Sequence, residues 1–255
     1  MKNMRKITIL NNKGGVGKTT SAMNIGYEFS QHFSKRVLLI DLDPQANLSK
    51  SFEVDESRPN IGHALAGCAK IRETIQQTKY ENLDIIPCDE DLKAVCEALN
   101  IPGGNMVLRN ILAELQPDYD FCIIDNAPAL GISTDNALVA SDEVVVPICI
   151  DTYGFWGLDK IMRDIEKARQ VNPFLYFDGC LVTRYRNDEI SQEVTKQMKE
   201  QDTYPVFGTK IRESDTVRRA AFAGEPITEN SKRSGAAVDY RKWAKEYIEN
   251  NLCSD

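Results

Sequence analysis

The run Asn11-Asn12-Lys13-Gly14-Gly15-Val16-Gly17-Lys18-Thr19-Thr20 holds the densest chemistry in the sequence. An apolar stretch over 7–10 precedes it and reads as a strand, and residues 21–29 after it read as a helix. A glycine-rich turn in that setting lets several backbone N–H groups point at one phosphate. The start of the following helix adds free donors and the positive end of its dipole. In such a loop Lys18 reaches the β- and γ-phosphates and the Thr19 hydroxyl ligates Mg²⁺. Three carboxylates close other apolar runs: Asp41 and Asp43 follow Val37-Leu38-Leu39-Ile40, and Asp125 follows Phe121-Cys122-Ile123-Ile124. In open α/β sheets ligands bind beyond the carboxyl ends of the strands, the edge the phosphate loop marks. Asp125 there can hold Mg²⁺ directly or through its waters. Read from residue type alone, each of these aspartates is equally a strand terminator or a turn cap.

The loop departs from the common G-x-x-x-x-G-K-S/T form. Asn12 stands where the first glycine belongs, and Lys13 sits just before the double glycine. The pattern K-G-G-x-G-K-S/T resembles the ParA/MinD family of deviant Walker A ATPases, in particular its short ParA (Soj-like) partition proteins. The likeness extends to D-L-D-P-Q-A-N from Asp41, I-I-D-N-A-P-A-L-G over 123–131, S-D-E-V-V-V-P over 141–147 and G-E-P-I over 224–227. It implies a nucleotide bound by Lys13, Gly14, Gly15, Val16, Gly17, Lys18, Thr19 and Thr20, with Lys13 reaching across a homodimer to the partner's ATP. Asp43 then positions the attacking water, while Thr19, Asp41 and Asp125 form the Mg²⁺ network, partly through water. Catalysis falls to Lys13, Lys18 and Asp43, a set suited to phosphoryl transfer by positioning and charge neutralisation. The base is expected beside Thr183, Arg184 and Ile211. The resemblance further implies nonspecific double-stranded DNA binding, with Arg184, Arg186, Arg218 and Arg219 as candidates and Lys232-Arg233 behind them. A ParB-like or centromere-binding partner would stimulate hydrolysis. Two departures stand out. The usual Asp-x-Pro-Pro reads Asp125-Asn126-Ala127-Pro128, and the loop after Thr183 is short.

Elements that could position these residues alternate along the chain. Strands are predicted over 37–41, 83–87, 119–125, 143–150, 176–183 and 205–207, besides the first. Helices are predicted over 19–31, 61–69, 71–77, 89–99, 106–115, 133–140, 155–171, 189–201, 214–223 and 235–251. Apolar runs without polar alternation suit strands covered on both faces, so the expected fold is α/β, a mostly parallel twisted sheet with helices on both faces. No composition shift divides residues 1–255, which read as a single P-loop ATPase domain without an N-terminal helix-turn-helix domain.

At 42% hydrophobic and 27% charged the composition is that of an ordinary globular protein. No apolar run approaches the roughly 20 residues of a membrane span. Seven scattered cysteines without C-x-x-C spacing argue for a reducing cytoplasm, and two isolated histidines argue against a metal cluster. The net charge of −7 does not advertise nucleic-acid binding, yet residues 210–245 carry nine Lys/Arg against five Asp/Glu, so any DNA surface must be local. The expected protein is a cytoplasmic, nucleoid-associated ATPase with ATP and Mg²⁺ as ligands and no stable membrane association. A MinD-like membrane cycle needs a basic amphipathic C-terminal helix, whereas Glu246, Glu249 and Asp255 face Lys245 here. An iron–sulfur carrier needs cysteines at a dimer seam, and none closely follows Asp125. A metabolic P-loop ligase or a nucleotide-binding protein that does not hydrolyse would share the loop, and Lys13 with D-x-D-P-Q weighs against the ligase.

Overall fold

The computed structural model describes residues 3–128, 131–150, 157–201 and 203–252. Its strands are β1 (Arg5–Ile9), β2 (Val37–Leu42), β3 (Gln76–Gln77), β4 (Leu83–Ile86), β5 (Phe121–Asn126), β6 (Glu143–Cys149) and β7 (Tyr176–Thr183). They form one sheet in the order β3-β4-β2-β5-β1-β6-β7, parallel except for β3 against β4. The register places Asp41 beside Asp125, and Ile9 on the other side of Asp125. The acidic ends of β2 and β5 and the loop leaving β1 therefore share one edge.

The helices are α1 (Lys18–Phe33), α2 (Ile61–Leu65), α3 (Leu92–Ala98), α4 (Val107–Leu112), α5 (Ile132–Ala140), α6 (Leu158–Arg169), α7 (Glu189–Gln201), α8 (Asp215–Ala223), α9 (Ile227–Asn230) and α10 (Gly235–Leu252). Alternate residues of the buried strands feed opposite cores. Ile7, Ile9, Leu39 and Ile123 pack under α1 and α10, whereas Leu38, Ile40 and Ile124 pack with α2 to α5. A third cluster joins β6 and β7 to α6. On α10, Trp243 and Tyr247 are fully buried and stack at 5.3 Å, against Phe29, Phe121 and Phe207. The apolar face of α10 is thus part of the core.

Several elements differ from the sequence reading. The helix expected over 71–77 is a short 3-10 turn, Ile71–Thr74, followed by β3. Gln76 fixes that extended backbone: its side chain bonds both the N–H and the carbonyl of Asp55, at 2.7 and 3.0 Å. Residues 61–69 stop being helical after Leu65 because Gly67 turns to φ 73°. Residues 205–207 make only an isolated bridge, Val206 to Cys180, beside Gly179. A Cβ at Gly179 would lie 3.0 Å from the Pro205 carbonyl oxygen. Between 106 and 115 the helix shortens to α4 with 3-10 turns on both sides. The start of the helix predicted from 155, Ala129 and Leu130 of the 123–131 motif, and Asp255 lie outside the described residues.

Candidate nucleotide site

The loop between β1 and α1 is held from both sides. Asn11 donates from Nδ2 to the Pro147 carbonyl on β6 at 2.7 Å, and its Oδ1 accepts the Lys13 N–H at 2.9 Å. Thr183, the last residue of β7, donates its hydroxyl to the Val16 carbonyl at 2.8 Å. Between these anchors Gly15 (φ 74°) and Gly17 (φ 86°) take left-handed conformations that a side chain resists. Gly17 is the N-cap of α1, so the free N–H groups of the helix start open onto the loop. Lys13, Gly14 and Gly15 are exposed, Val16 is buried, and Thr19 and Thr20 are half-buried. A Cβ on Gly14 or Gly15 would meet nothing within 4 Å, so the concave side of the loop is clear.

Lys18 is 7% exposed and donates to the Lys13 carbonyl at 3.2 Å, folding back over its own loop. Burial pulls its ammonium below the usual lysine range, and the charges of Asp125 and Asp43 pull it back up. Asp125 is fully buried, and among the described residues neither carboxylate oxygen has a hydrogen-bond partner. Burial, then the neighbouring Asp41 charge, push this carboxyl well above the ordinary range, while the Thr19 hydroxyl and Lys18 act against the rise. A buried carboxylate without partners, beside a threonine hydroxyl at a phosphate loop, fits a hydrated Mg²⁺.

Asp41, paired with Asp125 across the sheet, carries hydrogen bonds of its own. One oxygen accepts the N–H and hydroxyl of Ser49, both at 2.8 Å, and the other accepts the Asp43 N–H at 3.0 Å. Burial raises its pKa, and these donors moderate the rise. Asp43 is nearly buried at the same edge and accepts the Gln45 N–H at 3.0 Å.

A groove of about 1200 Å³ runs from Gly15, Gly17 and Thr20 toward the segment after β7 and the strip over 208–215. Thr183, Arg184 and Ile211 all line it. Thr183 has its hydroxyl committed to the loop, and the Ile211 side chain is buried while its backbone pairs with Val182 and Tyr185. The arginines expected at DNA divide into two groups. Arg184, held at φ 51°, and Arg186 both pair with Glu213, Arg184 at 3.2 Å. Arg218 and Arg219 are exposed on α8, and among the described residues Arg218 makes an open i,i+3 pair with Asp215 at 3.5 Å.

Sequence reasoning did not single out Asn11, Ser49, Cys88 or Arg212. Asn11 carries a signal, a polar residue closing an apolar strand. The others act across large separations. Arg212 grips Asp239 of α10 through two bonds of 2.7 and 2.8 Å, fixing the far wall of the groove. Asn126, the departure after Asp125, is buried and donates to the carbonyls of Ile9 and Ile124 at 3.2 and 3.3 Å, tying β5 to β1.

The AAA domain family matches residues 4–177. The chromosome-partitioning ATPase Soj of Treponema pallidum is 33% identical over 247 residues, covering 96% of this chain and 97% of its own. A plasmid partition protein of Borrelia burgdorferi bound to AMPPNP superposes with a TM-score of 0.83 at 26% identity, over 97% of this chain and 99% of that one. Cobyrinic acid a,c-diamide synthase of Mycobacterium smegmatis, with bound ATP analog and magnesium, gives a TM-score of 0.85 at 28% identity, over 99% and 97%.

Proposed function

We propose, from the premise that this chain belongs to the ParA/Soj family of deviant Walker A ATPases, that it hydrolyses ATP to switch a homodimer on and off DNA and so partitions a plasmid, chromosome or mobile element. The observation that carries this reading is the buried, unpartnered Asp125 carboxylate beside Thr19 and Lys18 at the mouth of the phosphate loop. Thr19 and Asp125 would hold Mg²⁺, Asp125 directly or through water. The ion would neutralise phosphate charge as the bond to the γ-phosphoryl group breaks.

The chain's own groups do the rest. The loop N–H groups hold the phosphates, and Lys18 turns from the Lys13 carbonyl to the β- and γ-oxygens. Asp43 orients the attacking water in line. Exposed Lys13 serves the partner subunit's nucleotide, so the ATP dimer is the catalytic unit. The groove beyond Thr20 takes the ribose and base. Arg218 and Arg219 offer phosphate contacts, whereas Arg184 and Arg186 must leave Glu213 to do so. A ParB-type partner would stimulate release, and the protein would sit on the nucleoid.

Retention on DNA measured with ATP, ADP and no nucleotide across a salt series tests the switch, and equal retention in all three states would sink it. Lys18→Ala is expected to lose nucleotide binding. Asp43→Ala is expected to bind ATP and not turn it over. The likeness to the synthase favours one alternative, a small-molecule ligase, which would turn over at a rate indifferent to DNA.

A further inference from the structure

The loop after β2 is closed by a chain of hydrogen bonds that no motif announces. Asp41 accepts the N–H and hydroxyl of Ser49 at 2.8 Å each. The same Ser49 hydroxyl oxygen accepts the N–H of Cys88, just past β4, at 3.0 Å. The Cys88 thiol in turn donates to the backbone carbonyl of Asp43 at 2.9 Å. Asp41 closes the ring by accepting the Asp43 N–H at 3.0 Å. Asp43 is thus gripped on both sides of its Cα, by Asp41 at its N–H and by Cys88 at its carbonyl. Ser49 and Cys88 are 2% and 6% exposed, and Asp41 is fully buried, so water does not compete for these bonds. The buried Cys88 thiol thus sits among polar groups and not in a purely apolar pocket.

We propose that Ser49 and Cys88 are positioning residues for hydrolysis, holding Asp43 where it can orient the attacking water, with Asp41 as the anchor of that brace. The inference rests on the reading of Asp43 as the water-orienting carboxylate. Among the described residues, neither side chain hydrogen-bonds to the phosphate loop. Their loss therefore acts on the rate of the chemical step and leaves ATP affinity alone. In-line attack tolerates little displacement, and a shift of about 1 Å in a positioning group costs on the order of 100-fold in rate.

The test compares Ser49→Ala, Ser49→Thr, Cys88→Ala and Cys88→Ser with Asp43→Ala in the full chain. The readouts are ATP affinity, single-turnover hydrolysis and thermal midpoint. Ser49→Ala and Cys88→Ala are expected to slow hydrolysis roughly 10- to 100-fold with ATP affinity within about twofold of wild type. The hydroxyl of Cys88→Ser can still donate to the Asp43 carbonyl, and Ser49→Thr can still bridge Asp41 and Cys88, so both are expected to recover most of the rate. Site-resolved alkylation adds an independent reading. Cys88 in wild type is expected to resist a thiol reagent, and to become reactive in Ser49→Ala while exposed Cys68 is unchanged.

Wild-type rates in both alanine variants, with Asp43→Ala inactive, would overturn the brace and leave the role of Asp43 standing. Equal losses in Cys88→Ser and Cys88→Ala would also overturn it, since volume and not the hydrogen bond would then matter. Normal turnover in Asp43→Ala would instead remove the reading on which the brace depends.

Discussion

A buried carboxylate opposes folding, because burial disfavours its ionised form. Asp125 is such a group, and its neighbour Asp41 adds like charge. Asp125→Asn keeps the shape and removes the charge. It is expected to stabilise the nucleotide-free protein by about 1–2 kcal/mol, or roughly 2–8 °C in Tm for a chain of this size. The sign with pH follows from the raised folded-state pKa. The folded state holds the proton where the unfolded state has released it, so stability falls as pH rises through that window. The gap between variant and wild type should therefore close as pH is lowered toward the ordinary carboxylate range. With Mg²⁺ and ATP the order should reverse, wild type gaining and the variant not. Thermal melts over pH, with and without ligand, check both halves. At this scale the sequence was most informative where a residue stands next to its cause. Asp125 ends an apolar run and Lys18 ends a glycine turn, so both could be read directly. The brace could not, because Cys88 reaches Ser49 and Asp43 through the pairing of β2 with β4. Nor could the Glu213 clamp on Arg184 and Arg186, which joins segments far apart in sequence.

At the scale of elements, α1 must lie close enough to the sheet for its first turn to meet the ends of β1 and β5. Gly26 permits that approach. A Cβ there would lie 2.7 Å from a Leu39 methyl on β2 and 3.3 Å from a Leu83 methyl on β4. Gly26→Ala sets two effects against each other. Helix propensity gains about 1 kcal/mol, while overpacking a closed core costs about 1–3 kcal/mol. Leu39 and Leu83 are both fully buried, so their methyls would have to shift inside a closed core and overpacking should win. A net loss of about 1 kcal/mol is expected, read as a lower denaturant midpoint at unchanged slope. Parallel strands such as β2 and β5 were legible because burial on both faces demands uninterrupted apolar runs. The two-residue β3 was not, since Gln76 and Asp55 fix it through side-chain bonds to a distant backbone. The same holds for α9, a single turn behind Pro226 that Asn24 of α1 receives at the Ile227 N–H, at 2.8 Å.

For the whole molecule the open question is how a chain of net charge −7 would hold DNA. Binding to duplex backbone depends on how many phosphates are neutralised, and the log of affinity falls with log salt by about 0.9 for each. Overall charge sets only the background field, so a local face suffices. The structure separates the candidate arginines by their existing partners, which turns a list into an order. Arg218 and Arg219 stand in solvent on α8, and moving them onto phosphates disrupts only an exposed pair that contributes little. Arg184 and Arg186 share Glu213, so engaging DNA means giving up a joint ion pair. Replacing both Arg218 and Arg219 by Ala should therefore weaken ATP-dependent DNA retention at every sequence tested. It should also reduce the salt slope by about 2, one unit for each lost phosphate contact. Replacing Glu213 by Gln should act in the opposite direction, strengthening retention by freeing two guanidinium groups. Lys13→Ala should abolish retention by another route, since a monomer presents half the contacts, and light scattering with ATP would show no dimer. A salt slope unchanged in the double arginine variant, with the dimer intact, would move the DNA face off α8. Because phosphate contacts and dimerisation both raise retention, the slope and the mass must be read together, and only the slope counts phosphates.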